Sequence, residues 1–187
     1  GYMYWRYFMW NFSGRQDDIQ GRMDMHGNWI SGINFVDEWS LGVSQKNLPK
    51  DVLNNKARNT YFLLPLILGL IGLYFLYNTN KEYFWILILF FLFTGLAIQI
   101  YTNVRPFEPR ERDYSVVGSF YVFSMIIGLG SYYVSVMFEK IKTKGATILS
   151  FILCLLFVPV NLAMNNWDDH DRSDRYTAYE MAVNYLE

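Results

Sequence analysis

The 187-residue sequence has little of what marks most soluble chemistry: one cysteine, two histidines, five prolines and only 18% charged residues. The lone Cys154 lies inside an apolar run. That excludes an internal disulfide and makes the thiol a packing group rather than a reactive thiolate. Sixteen basic residues stand against seventeen acidic ones, for a net charge of −1. No broad basic field exists to recruit nucleic acid, which is excluded as a partner. The chain contains no P-loop, Rossmann glycine fingerprint, CxxC, HExxH or GxSxG pattern, so ATP-driven transport has no support in it. The opening lacks a basic stretch followed by a clean apolar run, so it is not a signal peptide. The sequence starts at Gly1 without an initiator methionine and stops at Glu187 in a helical pattern, and is expected to be a segment of a longer protein.

What is abundant is apolar and aromatic. Hydrophobic residues make up 52% and aromatic residues 19%, yet the mean hydropathy is only +0.08, so the apolar residues must be gathered in blocks. Crossing a bilayer takes about 20 mostly apolar residues, and four stretches qualify: 61–78, 83–102, 116–138 and 146–164. The expected fold is an all-α polytopic membrane protein with four transmembrane helices across 61–164, an arm at 1–60 and the start of a further region at 165–187. In the first stretch Pro65 sits near the start, where a missing N–H costs least, and Gly69 and Gly72 permit close helix approach. The third carries Gly118, Ser119, Ser124, Gly128, Gly130 and Ser131, a small-residue surface that suits a central helix. Pro159 in the fourth predicts a kink. Gln99 and Asn161 are the only strongly polar side chains well inside the four stretches, which argues against an ion-coupled carrier.

Four spans place both arms and the 103–115 loop on one side, with the turn near Lys81 and the 139–145 loop on the other. Lys140, Lys142 and Lys144 face Glu139 alone, the pattern of a cytoplasmic loop, while all nine arginines fall on the opposite side among carboxylates. That side is read as periplasmic. Its loop, NVRPFEPRERDYS, is stiffened by Pro106 and Pro109 and sets Arg105, Arg110 and Arg112 beside Glu108, Glu111 and Asp113. Guanidinium forks at the interface suit the phosphate of a lipid carrier. An ion-pair knot that only fixes the loop fits the same charges equally well.

The first arm opens with YMYWRYFMWNF, aromatic but broken by Arg6 and too short to cross, which suits an interfacial helix or the tail of a span. The polar stretch that follows holds Asp17, Asp18, Asp24, Asp37 and Glu38 and reads as extramembrane. Trp29 and Trp39 are expected as headgroup anchors, and His26 with Asp24 falls short of a convincing metal ligand set. In the last arm Asp168, Asp169, His170 and Asp171 are weak candidates for a divalent cation. The competing reading is a solvated cap, with Ser173 or Asp174 starting a helix whose apolar residues Ala178, Met181, Ala182, Tyr185 and Leu186 recur at helical spacing.

The strings YMYWRYFMWNFSGRQDDIQG, ARNTYFLLPLILGLIGL, PRERDY followed by GSFY, and NWDDHDRSDRYTA together resemble the bacterial inner-membrane protein O-mannosyltransferase-like family of glycosyltransferase fold class C. The resemblance implies a multi-pass protein of the bacterial inner membrane, with both arms periplasmic, that moves a sugar from a polyprenyl-phosphate donor to a periplasmic acceptor, a protein. It places the usual catalytic acid in an outer loop upstream of Gly1 and a soluble domain after Glu187. Carried onto this sequence, PRERDY spans Pro109 to Tyr114, so Arg110 and Arg112, with Arg105, are the expected donor-phosphate ligands. Arg6, Arg15, Asp113 and Tyr114 are expected near the substrate. Asp17, Asp18 and Asp113 are the acids within reach of a base role, though hydrogen bonding suits each better. Besides membrane lipid, other membrane subunits are conceivable partners. The rival readings are a noncatalytic membrane scaffold and a lipid or polysaccharide transporter, both of which the small-residue third span also serves.

Overall fold

The computed structural model describes residues 1–19, 26–103, 112–139, 145–170 and 176–186, the side chains of 168–170 and 186 excepted. Arg105, Arg110, Asp24, Asp171, Ser173 and Asp174 lie outside the described residues, as does the lysine run at 140–144.

The fold is all-α with almost no strand. Helix α1 (Tyr2–Phe12) leads through a short strand β1 (Gly14–Arg15) into α2 (Asn34–Leu41), the single turn α3 (Lys50–Leu53) and strand β2 (Asn59–Thr60). The apolar helices follow. α4 (Leu64–Thr79) turns sharply at Asn80, whose side-chain oxygen accepts from the N–H groups of Glu82 and Tyr83 at 3.0 and 3.1 Å, starting α5 (Lys81–Leu92). A π-helical turn (Phe93–Ala97) joins α5 to α6 (Ile98–Thr102). A 3-10 turn (Asp113–Val116) opens α7 (Val117–Glu139). Then α8 (Ala146–Leu155), a second π turn (Leu156–Val160) and α9 (Asn161–His170) run without a break, and α10 (Thr177–Leu186) ends the chain.

Three continuous helices, Lys81–Thr102, Asp113–Glu139 and Ala146–Trp167, are long and apolar enough to cross a membrane, as in a multi-pass membrane protein. At 1.5 Å per residue each reaches about 33 Å or more. The 16-residue α4 is equally apolar but reaches only about 24 Å. It starts late because Phe62 and Leu63 take left-handed conformations (φ 54° and 58°) that turn the chain off β2 before the helix begins. The helix meets Pro159 with a π turn instead of breaking there. A wider turn accommodates the residue that cannot donate to the ladder.

α7 is the hub and packs against α4, α5 and α8. Its closest approach is to α4, where a Cβ on Gly72 would strike the Ile126 carbonyl and one on Gly130 the Leu68 carbonyl. Backbone thus lies on backbone at this crossing. Gly118 meets Thr94 on the neighbouring helix, whereas a Cβ on Gly128 would meet no described residue within 4 Å, and Gly128 lines an open apolar cleft of about 570 Å³ between α7 and α8. The small-residue surface therefore divides between a tight crossing and a groove wall.

The arm at 1–60 does not lie apart from the bundle. α1 is buried on nearly all sides: Met3, Tyr4, Tyr7, Phe8, Met9, Trp10 and Phe12 join Val116, Phe120, Phe123, Ile127 and Val158 in one core. The polar part of the arm then folds back over that end. β1 pairs with β2, Ser13 donates to the Ile30 carbonyl at 3.0 Å, and Phe62 N–H donates to the Ser31 carbonyl at 2.9 Å. At the far end of the chain Asn166 of α9 is tied to the same segment by Asn59 (2.8 Å) and by Tyr61, which accepts from its amide at 2.8 Å.

Gly130→Ala is expected to destabilise the helix bundle by about 1–3 kcal/mol by forcing the crossing apart, while Gly128→Ala has no measurable cost. Thermal unfolding of the two purified variants in one detergent checks the contrast.

Candidate functional site

Arg6 and Trp10 are one helical turn apart on α1 and share a face. The Arg6 guanidinium lies 4.5 Å from the centroid of the Trp10 ring. After α1 the chain reverses at Gly14, whose φ of 141° only glycine takes readily and whose Cβ would press on the carbonyls of Asn59 and Ile30. The reversal sets the Arg15 guanidinium 4.2 Å from the same ring. Arg15 is held there by its Nε, which donates to the Asp17 carbonyl at 2.8 Å. Two cations thus bear on one indole, a cation–π arrangement that strengthens as water is excluded. The indole itself is buried and its N–H meets no acceptor among the described residues. An unmet buried donor costs about 1–3 kcal/mol, which an acceptor reaching it in the ring plane would relieve.

Tyr7 extends the cluster. Its ring lies 5.6 Å from Trp10, and its hydroxyl accepts from the backbone N–H of Arg112 at 3.2 Å. The structure therefore brings together two of the arginines singled out in the sequence, Arg6 and Arg15 on Trp10, while Arg112 is tied to Tyr7 through its backbone. Asp113 and Tyr114 occupy the exposed 3-10 turn that opens α7, with the Asp113 carboxylate accepting from Tyr114 N–H at 2.9 Å. Asp168, Asp169 and His170 fall in the last turns of α9, and no group of three His, Cys, Asp or Glu side chains able to hold a metal occurs among the described residues.

The acids of the arm have distinct jobs. Asp17 is buried and accepts from the N–H groups of Gly27 (2.9 Å) and Ile19 (3.1 Å), and from His26 Nδ1 at 3.1 Å when that nitrogen carries the proton. The imidazole is half exposed and lines a cavity of about 390 Å³ with Gln16, Asn28 and Gln45. A carboxylate that fixes one ring nitrogen is the arrangement used to orient a proton-accepting imidazole. His26 is thus paired with Asp17 across a sequence separation of nine. Asp18, by contrast, is exposed.

Asp37 is also buried. It accepts from Ser31 N–H (2.6 Å), Ser31 Oγ (2.8 Å) and Gly32 N–H (2.9 Å). Burial pulls the Arg58 guanidinium below its ordinary value, and the fields of Asp37 and Asp17 oppose that pull. Arg58 thus lies within the fields of the two buried acids of the arm. Trp39 is 82% exposed, whereas Trp29 is partly buried against the core beside α1.

Sequence reasoning passed over Trp10, Tyr7 and Asn28. Their one visible signal was the i, i+4 spacing of Arg6 and Trp10, which acquires meaning only when Arg15 folds onto the same ring. Comparison with protein-family models, with curated proteins and with solved structures finds no match for this chain.

Asp37→Ala leaves the Ser31 and Gly32 N–H groups without their acceptor and is expected to loosen the arm by about 2 kcal/mol. Limited proteolysis should then cut within residues 26–58 at lower protease concentration than in the wild type, while the apolar helices stay protected.

Proposed function

We propose that this chain forms part of a membrane glycosyltransferase that moves a sugar from a polyprenyl-phosphate donor to an acceptor, a protein, on the periplasmic side of the bacterial inner membrane. The observation that carries the reading is the Trp10 cluster, in which two guanidinium groups bear on a buried indole whose N–H meets no acceptor among the described residues, in a chain with helices apolar enough to cross a bilayer. A lipid-linked phosphate presents its charge at the membrane surface and its chain to the helices. Cations and a directed N–H are the groups such a headgroup calls for.

In the transfer the bond between the sugar C1 and the phosphate oxygen breaks and negative charge grows on the departing phosphate. The acceptor hydroxyl loses its proton as its oxygen bonds to C1. Arg15 and Arg6, with Arg112 and its neighbours Arg105 and Arg110 in the loop, supply stabilisation of the growing charge. The His26–Asp17 pair is a described group with the geometry to accept a proton, while the family resemblance assigns that step to an acid upstream of Gly1.

Transfer of labelled sugar from polyprenyl-phosphate donors, measured in membranes holding the full-length protein, is expected to fall about 10²- to 10³-fold in an Arg15→Ala, Arg112→Ala variant of equal abundance. Absence of transfer by wild type across several donors would move the assignment to a noncatalytic membrane scaffold.

A further inference from the structure

The open cleft between α7 and α8 lies toward the other end of α7 from the Trp10 cluster. The continuous helix Asp113–Glu139 begins beside Arg112, whose N–H donates to the Tyr7 hydroxyl, and ends at Glu139, which lines the cleft with Gly128, Ser131, Ser135 and, from α8, Phe151 and Cys154. We infer that this cleft holds one acyl chain of a phospholipid whose headgroup carries a primary ammonium, with the ammonium at Glu139. The site uses none of the residues of the proposed transfer and stands independently of it.

The dimensions suit a chain. From Gly128 to Glu139 the groove wall runs about 17 Å along α7, at 1.5 Å per residue. That is about half of a hydrocarbon core of roughly 30 Å, the depth of one leaflet. The volume of about 570 Å³ is that of a pocket able to enclose a drug-sized ligand. Most of the wall is apolar, from Val136, Ile148, Phe151, Leu155 and Pro159. Water finds few polar partners against such a wall, and an empty groove forfeits dispersion contacts along its lining. A hydrocarbon chain supplies them.

The polar groups select the headgroup. Ser131 donates its hydroxyl hydrogen to the Ile127 carbonyl at 3.2 Å, and Ser135 donates to the Ser131 carbonyl at 3.0 Å. Each hydroxyl thus donates within its own helix and offers the cleft only lone pairs. Glu139, at the mouth, is exposed and, when ionised, only accepts. Acceptors grouped around a carboxylate call for a cation that carries N–H donors, and a primary ammonium is such a group. The hydroxyls of Tyr132 and Thr147, which also line the cleft, complete the rim as donors for ester oxygens. Lys140, Lys142 and Lys144 follow Glu139 in the sequence but lie outside the described residues, and the site is built without them.

Small residues on α7 also suit a second copy of this chain, since they let helices approach closely. Copies in one membrane share its orientation, however, so a helix pair formed through this cleft would set two Glu139 carboxylates at one depth, where like charges repel. A lipid meets no such penalty.

Native mass spectrometry of the full-length protein in detergent tests the site, with phosphatidylethanolamine, phosphatidylcholine and phosphatidylglycerol added in turn at equal concentration. Phosphatidylcholine keeps the positive charge but has no N–H to give, and phosphatidylglycerol is anionic. Wild type should bind one phosphatidylethanolamine about tenfold more tightly than either of the others, the effect of one charge-assisted hydrogen bond. Gly128→Leu, at a position where a Cβ meets no described residue within 4 Å, fills the groove and should abolish the tight site. Glu139→Gln should leave a lipid bound and erase the preference among headgroups. Equal binding of all the lipids by wild type, a preference for the anionic one, or a preference that survives both variants overturns the site. A wild-type dimer that Gly128→Leu dissolves overturns it in favour of a second copy.

Discussion

The structure depends on how an eleven-residue aromatic helix is held inside a bundle of apolar ones. In a hydrocarbon surrounding, helices gain nothing from hiding apolar surface, so their association rests on packing and on polar contacts. α1 meets that demand with rings. Phe8 and Phe12 meet Phe123 edge-on at 4.8 and 4.7 Å, Phe8 meets Phe91 at 5.8 Å, and the Tyr4 hydroxyl donates to Ser119 at 3.2 Å. Such ring pairs contribute about 0.5–1.5 kcal/mol each beyond area burial. Gly95 in the π turn lets Tyr4 lie against the helix backbone, so the irregular turn and the aromatic residue belong to one fit. Wherever α1 sits, Arg6 and Trp10 sit with it.

The arm solves a different problem, which is to fold with little apolar area of its own. It does so by placing two carboxylates in its interior and surrounding each with N–H and O–H donors from short loops. A buried carboxylate without such donors would cost several kcal/mol. With them it organises the loop around itself. Asp37 shapes residues 31–33, and Asp17 holds Ile19, His26 and Gly27, the last two just ahead of Asn28, which lines the His26 cavity. That cavity is thus a product of polar satisfaction in the arm.

Much of the membrane part was legible because its signal is local. Runs of leucine, isoleucine and phenylalanine read as apolar helices whatever surrounds them, and the boundaries at Lys81, Asp113 and Ala146 lie within a few residues of the expected 83, 116 and 146. Pro159 was read as a kink, and the backbone carries a π turn there, a detail that depends on how neighbours accommodate the freed carbonyl. The segment at 2–12 was read as interfacial or as the tail of a span. Its burial beside α4 and α7 was not visible, since an aromatic run of eleven residues has no periodicity that distinguishes a covered helix from a half-covered one.

What the amino-acid order determined by itself is therefore the inventory: apolar helices, a polar arm rich in turn residues, arginines kept out of the apolar stretches, and a lone thiol. These follow from composition within windows of about 20 residues, the scale on which hydropathy acts. What only the tertiary structure decided is which polar residues meet. Arg6 and Arg15 share Trp10, His26 turns to Asp17, and Asn166 reaches Asn59 across 107 positions, because side-chain chemistry acts over a few ångströms while the chain that delivers it turns over tens of residues.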